Sequence, residues 1–364
     1  MVTILIGVDI ILSMKELKFG NILIDENSPA VIIAELSDGH CGSLEKAKML
    51  AKAAKGAGAD VLKVQMHFPE VEMTSGVKMW AGDLQDILKD VWFSPENHQA
   101  LKKYCEEIGM QYLCTPFSPK AIDVLNEMGV DGFKTGSGEI YNLPFHRKLA
   151  KISAAMGKPV FISIGMCTLE ELDEIVSMHK EEGSHFLLMN CTSEYPIKDY
   201  SHTRLGLIPV LREKFGVMVG QSDHTTEIYT SLAAAALGAK VIEKHFTLDR
   251  KGPFPDDFMS LDPAMMKELV DGIRKVEAAL KGREKNIFPE EQEIRSWAFH
   301  SVVSDVDLKK GDTITLDKVR PARPGWGIPA KYLDKKYSAE LLGRKLNKDI
   351  PKNTVIKWDD LEIS

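Results

Sequence analysis

Eight apolar runs recur along the chain, near residues 31–36, 61–66, 111–116, 132–137, 160–166, 186–192, 217–223 and 241–247. Each run is continuous rather than alternating, as in strands buried on both faces. The stretches between them carry apolar residues at helical spacing, such as Leu44, Ala47, Met49 and Leu50 after Ser43. Ser94-Pro95, Ser118-Pro119 and Asp262-Pro263 read as helix N-caps followed by a first-turn proline. Thr168-Leu-Glu-Glu171 reads as a capping box. Gly109, Gly129, Gly157 and Gly183 stand where helices should stop. Eight such units in about 250 residues predict a (β/α)8 TIM barrel. A doubly wound sheet is the alternative, but no Gly-x-Gly-x-x-Gly turn follows the first strand.

Beyond Gly282 the texture changes. Residues 283–298 are charged and read as a linker, and 299–364 as a small domain rich in valine, glycine and proline. Within that domain Asp307–Val319 weakly repeats as Asp349–Leu361, which predicts internal pseudo-symmetry. The barrel is expected over 19–282. Residues 1–18 read as an N-terminal extension, whose first 13 residues are either a mis-called start, since Met14 followed by Lys-Glu-Leu-Lys looks more natural, or a short first strand. The apolar part of that segment is too short to span a membrane and lacks a basic leader.

A formal charge of −7 argues against nucleic acid as a general partner, so any anionic substrate needs a local lysine cluster. Five cysteines without a CxxC pair suggest reduced thiols in a cytoplasmic protein.

Polar residues concentrate at the downstream ends of the runs, where barrel strands deliver an active site. His224 and His245 end the seventh and eighth runs. Adjacent strands lie about 4.8 Å apart, so two imidazoles there could share one divalent ion. They could equally be hydrogen-bonded polar residues at a barrel mouth. Lys63 and Lys134, with Ser137, Ser163 and Ser222, could bind phosphate or carboxylate. Each lysine could instead be a salt-bridge partner or a Schiff-base amine of an aldolase. Lys244 should point away from the mouth, because side chains alternate along a strand. Glu35, Glu139, Glu243, Asp223 and Asp256 supply carboxylates that spacing does not rank.

Taken in order, nine motifs resemble one family. They are Ala34-Glu35, Lys63-Val-Gln65, Cys114-Thr115-Pro-Phe117, Lys134-Thr-Gly-Ser-Gly-Glu139, Ser163-Ile-Gly-Met166, Cys191-Thr-Ser-Glu-Tyr195-Pro196, Gln221-Ser-Asp-His-Thr225, Glu243-Lys-His-Phe246 and Arg323-Pro-Gly-Trp-Gly327. The chain resembles the nonulosonic acid synthases, the group that makes sialic, legionaminic and pseudaminic acids. The resemblance implies a TIM barrel joined to a small antifreeze-like (SAF) domain in a domain-swapped homodimer. It implies condensation of phosphoenolpyruvate with an amino-sugar aldose of the N-acetylmannosamine type, assisted by a divalent metal, manganese or magnesium. It places the metal on His224 and His245. Phosphoenolpyruvate would be held by Lys63, Thr115, Lys134, Ser137, Ser163 and Ser222, with Ser193 nearby. Glu35, Gln65, Glu139, Tyr195 and Asp256 would face the sugar and the reacting carbons, and Arg323 would come from the partner subunit. The rival readings are a Schiff-base aldolase using Lys63 or Lys134 and a non-catalytic sugar-binding protein.

Several positions depart from the family pattern. In Ser37-Asp-Gly39-His40-Cys-Gly42 the family usually has asparagine before the histidine; Asn190, Ser193 and Asp257 stand where other residues are familiar, and Asp83 falls near a familiar asparagine. These departures imply a modified acceptor sugar.

Overall fold

A computed structural model describes residues 16–79, 82–282 and 284–362. The chain divides into two compact units, 1–282 and 283–364. Of the expected extension, residues 1–15 lie outside the described residues.

The first unit is an eight-stranded parallel (β/α)8 barrel. Its strands are β1 (Val31–Glu35), β2 (Val61–Met66), β3 (Gln111–Pro116), β4 (Phe133–Thr135), β5 (Val160–Ser163), β6 (Phe186–Cys191), β7 (Val219–Asp223) and β8 (Val241–His245). Neighbours in sequence are neighbours in space, β8 pairs with β1, and β4 lies against β3. Eight helices surround them: α1 (Leu44–Gly56), α2 (Pro95–Glu107), α3 (Pro119–Glu127), α4 (Leu143–Met156), α5 (Leu169–Glu181), α6 (Leu207–Phe215), α7 (Tyr229–Ala236) and α8 (Pro263–Leu280).

The helices start and stop for local reasons. Ser43, Ser94, Ser118 and Asp262 each accept a backbone N–H of the first turn, and Thr168 with Glu171 closes a reciprocal capping box. Gly157 caps α4 in the left-handed conformation at φ 69°. Met49 does not belong to the buried face of α1 and turns to solvent.

Two apolar layers follow from the strand alternation. Outward-facing residues such as Ile32, Leu62, Val64 and Ile242 pack under the helices. Inward-facing Val31, Ile33, Val61, Leu113, Phe161, Leu187, Met189 and Val241 form a separate inner cluster with Leu17, Phe19 and Ile24. Those last three come from an antiparallel hairpin, Glu16–Phe19 with Ile22–Asp25. Residues 16–18, expected in the extension, therefore belong to the plug that closes the barrel floor. A Cβ on Gly132 would lie 3.0 Å from the Phe19 ring, so glycine there lets the plug seat.

In the second unit β9 (Ser301–Ser304) pairs antiparallel with β10 (Val319–Ala322). A shift of 42 residues, Leu308 to Ile350, relates its halves. It carries the Ser304–Val319 pair onto the Leu346–Leu361 bridge, and the Val303–Val355 bridge onto Lys345–Thr313. Leu308 and Ile350 exchange both backbone hydrogen bonds, as residues astride a two-fold axis do. The equivalents Leu308/Ile350, Ile314/Ile356 and Val319/Leu361 share one core. The segment read as a linker contains a helix, α9 (Pro289–Ala298). Its residues are almost all exposed, so no apolar period marks it. Pro289, Glu290 and Glu291 at its start and Arg295 near its end supply the helix signal.

Candidate active site

Alternation decides which side chains enter the barrel. On β1, Val31, Ile33 and Glu35 share the inner face. On β2 the set is Val61, Lys63 and Gln65, and on β8 it is Val241, Glu243 and His245. The lower members join the plug. The upper members line a cavity of about 890 Å3 at the C-terminal mouth. Its wall holds Glu35, Lys63, Gln65, Thr115, Lys134, Ser137, Ser163, Ser193, Tyr195, Ser222, His224, His245 and Asp256. Lys244, one residue out of phase, instead pairs with Asp223 at 3.5 Å.

Glu139 is not among the wall residues. After β4 the chain turns through a short 3-10 segment, Ser137–Glu139, and the carboxylate accepts from Asn142 Nδ2 at 2.8 Å. Arg323 lies in the second unit, with its guanidinium 5.9 Å from the Trp297 ring centre. Of the departures from the family pattern, only Ser193 is on the wall. Asp83 caps the helix Leu84–Asp90. Asn190 donates to Gln221 and the Thr203 carbonyl. Asp257 accepts from Thr247 and from the Phe254 amide, which holds the loop carrying Asp256. Those three differences are met by structural duties, so they are weaker grounds for a modified acceptor than their sequence positions implied.

Two buried ammoniums face each other across a carboxylate. Lys63 lies 2.6 Å from Glu35 Oε2 and 3.4 Å from Glu243 Oε1, and donates to Thr115 at 3.2 Å. Lys134 donates to Ser163 and to the Thr135 carbonyl, and stands 3.9 Å from Glu243 Oε2. Burial pulls the Lys63 pKa down, but Glu243 and Glu35 win and hold it above the ordinary lysine value. At Lys134 burial wins, and the pKa falls below that value. Burial pushes Glu243 up, yet the two lysines bring it below the usual glutamate value. Lys134 is thus the less compensated cation. Glu243 Oε2 has no hydrogen-bond partner among the described residues. Ser222 Oγ donates to its other oxygen at 3.3 Å.

The hydroxyls of Ser137 and Ser193 converge beside Gly165. The Gly165 amide donates to Ser137 Oγ at 3.0 Å. A Cβ on that glycine would lie 2.7 Å from Ser137 Oγ and 2.6 Å from Ser193 Oγ.

His224 and His245 stand across the mouth with ring centres 5.5 Å apart. The Nδ1 of His224 is 2.7 Å from the Thr192 carbonyl, so it carries the proton and leaves Nε2 with a free lone pair. The Nδ1 of His245 is 3.5 Å from Asp256 Oδ2. Burial lowers both imidazole pKa values, which keeps both rings neutral. Two neutral imidazoles with lone pairs fit a divalent cation. Among the described residues no cluster of three or more His, Cys, Asp or Glu has metal-holding geometry. A cation here would take its remaining ligands from water or substrate. Burial also lifts the Asp256 pKa to about 6.

Glu243 was one of several unranked carboxylates in sequence, and the structure puts it between the lysines. Its position two residues before His245 carries that signal. Of the apolar wall residues, Phe117 and Met166 close two of the quoted motifs, while Pro255, Phe258 and Met259 carry no such signal.

Paired buried lysines, a hydroxyl-lined recess and two neutral imidazoles at the C-terminal mouth of a barrel make an anion-binding pocket where enzymes of this architecture carry their active sites. A profile of the NeuB family matches residues 50–285, and a SAF-domain profile matches residues 300–362. The chain is 33% identical to the N,N'-diacetyllegionaminic acid synthase of Legionella pneumophila, over 91% of this chain and 94% of that one. It is 34% identical to a pseudaminic acid synthase of Campylobacter jejuni, over 94% and 99%. The crystal structure of an N-acetylneuraminic acid (sialic acid) synthetase from Leptospira borgpetersenii in complex with citrate superimposes with TM-score 0.69. It shares 30% identity and covers 77% of this chain and 94% of that one. The chain belongs to the NeuB family, and it is an enzyme of that synthase group.

Proposed function

We propose that this chain condenses phosphoenolpyruvate with an open-chain N-acetylmannosamine-type aldose, giving a nine-carbon 2-keto sugar acid and phosphate. The observation that carries this reading is the pair Lys63 and Lys134 astride Glu243, in one cavity with the neutral His224 and His245. Membership in a family of sugar-acid synthases supports it.

In this reading Lys134 and Lys63 draw in the phosphoenolpyruvate anion, and Ser137, Ser163, Ser193, Ser222 and Thr115 donate to its oxygens. Phosphoenolpyruvate carbon 3 then forms the new bond to the aldehyde carbon. Positive charge at carbon 2 is met by water oxygen, and the resulting adduct loses phosphate by C–O cleavage. Glu35, fixed against Lys63, receives a proton from that water. Asp256, with its pKa near 6, sits where a sugar hydroxyl or the new alkoxide needs a proton partner. His224 and His245 would hold manganese or magnesium, which when bound supplies Lewis-acid polarisation of the aldehyde. Lys63 and Lys134 are the cations of the described wall, and both are already paired, which favours an acceptor without a second phosphate.

Homodimer assembly, with Arg323 supplied by the partner subunit, belongs to the proposal, as does a cytoplasmic location. All five cysteines are free thiols. No helix among the described residues is long and apolar enough to cross a membrane.

The test is a panel of N-acyl, 6-deoxy and 6-phosphorylated hexoses with phosphoenolpyruvate and manganese, read by phosphate release and product mass. Chelator should abolish turnover, and His245→Ala should do the same in folded protein. The lowered pKa of Lys134 also suits an imine-forming amine. Borohydride trapping of pyruvate on Lys134, insensitive to chelator, would replace the synthase reading with an aldolase. Mixing Arg323→Ala with His245→Ala protein should restore activity if a partner completes the site.

A further inference from the structure

Behind the cavity wall a line of polar groups ends on a residue to which the proposed reaction gives no role. Glu35 Oε2 faces Lys63, and its Oε1 accepts from Gln65 Nε2 at 3.1 Å. Gln65 must therefore turn its carbonyl oxygen the other way. That oxygen lies 3.1 Å from His67 Nε2. The other ring nitrogen, Nδ1, lies 2.8 Å from Glu72 Oε1. Both contacts put an acceptor opposite a ring nitrogen, so both nitrogens must donate and the ring is an imidazolium. A neutral ring would set a lone pair against either a carboxylate or an amide oxygen.

We propose that His67 is a positioning residue: its imidazolium fixes the orientation of the Gln65 amide, and through it the Glu35 carboxylate beside Lys63. The proposal rests on the synthase reading for its kinetic consequences, while the geometry stands without it. The ring is held on its face as well as its edges. It stacks on Phe117 with centres 4.5 Å apart and an interplanar angle of 13°. The charged groups around it are Glu72, Asp38 at 3.6 Å from Nε2, and Glu35 beyond the amide, with the buried His40 behind Asp38. Burial lowers the His67 pKa, but Glu72 and Asp38 more than offset it and raise it above the ordinary histidine value. Without the imidazolium the Gln65 carbonyl oxygen loses its donor, and the amide is held against Glu35 from one end only. Half-turn of the amide would put its oxygen against Glu35 Oε1.

A double-mutant cycle tests the coupling. His67→Leu should cut turnover roughly ten- to hundred-fold, the usual cost of removing an outer support of an active group. His67→Gln, which keeps a donor at the Nε2 position, should recover most of that loss. The KM for phosphoenolpyruvate should hold within about two-fold while kcat falls, because the lysines are untouched. In a Gln65→Leu background His67→Leu should add almost nothing. Additive losses, or no rescue by glutamine, would overturn the proposal. Two further readings need no substrate. Nitrogen-15 NMR should show both His67 nitrogens protonated at pH 7, and a crystal structure of His67→Leu should show the Gln65 amide turned or disordered. A neutral His67, or an unmoved amide in the variant, would refute the positioning role even in a protein that proves inactive with every aldose. A wild-type protein inactive in the aldose panel but with a protonated His67 would fail the synthase reading alone.

Discussion

Replacing Glu243 by glutamine removes one carboxylate from between two buried ammoniums, with little change of shape. At an effective dielectric near 20, charge pairs at 3.4 and 3.9 Å are each worth about 4–5 kcal/mol before desolvation is counted. Lys63 keeps Glu35 at 2.6 Å, so the larger consequence falls on Lys134, which is left fully buried among neutral acceptors. Orphaning one member of a buried pair typically costs about 3–5 kcal/mol. For the 282-residue barrel unit, unfolding entropy is about 0.6 kcal/mol/K, so Glu243→Gln should lower Tm by about 5–8 °C. The measurement is thermal and urea unfolding in chelator, so that metal ligation does not enter. Adding Lys134→Met to Glu243→Gln removes the stranded charge and should recover more than half of the loss. A Tm unchanged by Glu243→Gln, or a double variant as unstable as the sum of the two singles, would refute the electrostatic reading of this site.

Gly165→Ala should raise the KM for phosphoenolpyruvate at least ten-fold while costing only about 1–3 kcal/mol of stability, because its methyl displaces two wall hydroxyls rather than backbone. Unaltered KM would remove Ser137 and Ser193 from the anion recess. Four fully buried histidines should make the fold acid-sensitive. Burial lowers His40 and His146 to about 4, and His98 and His179 to about 3. Their unfolded values lie near 6.5, so below about pH 6.5 the unfolded chain binds protons that the native one refuses, and stability falls until about pH 3–4. Asp38 and Asp256, raised by burial to about 6, gain protons in the native state over the same interval and offset about half of this. Near pH 5 these six groups leave a balance of about two protons, a slope of about 2.7 kcal/mol per pH unit in urea titrations, and the lowered pKa values of His224 and His245 steepen it further. His179→Gln should reduce that slope by about one proton, and a flat profile between pH 7 and 5 would contradict the argument.

The two helix-cap serines before proline, the capping box at Thr168 and the eight buried runs were legible in sequence because each is a local matter. A cap needs only three or four consecutive residues, and a strand buried on both faces announces itself by composition. Alternation also foretold that His245 would face the mouth and Lys244 would not. The same rule puts Glu243, like Glu35, on the inner face once β8 is placed in register. Strand length was less legible, and it decided Glu139: β4 ends at Thr135, two residues earlier than its apolar run suggests, and the turn that follows carries the carboxylate off the wall.

What the sequence determined by itself was the barrel, its strands and the side chains at their tips, because periodicity and caps act over a few residues. What only the tertiary structure decided was who meets whom: Glu243 between Lys63 and Lys134, Gln65 held between Glu35 and His67, and the hairpin residues Leu17, Phe19 and Ile24 under the barrel floor. Apart from Gln65 with His67, two residues along the chain, those contacts join segments far apart in sequence. Their strengths depend on burial and on distances of a few ångströms, and both are set only when the ring closes.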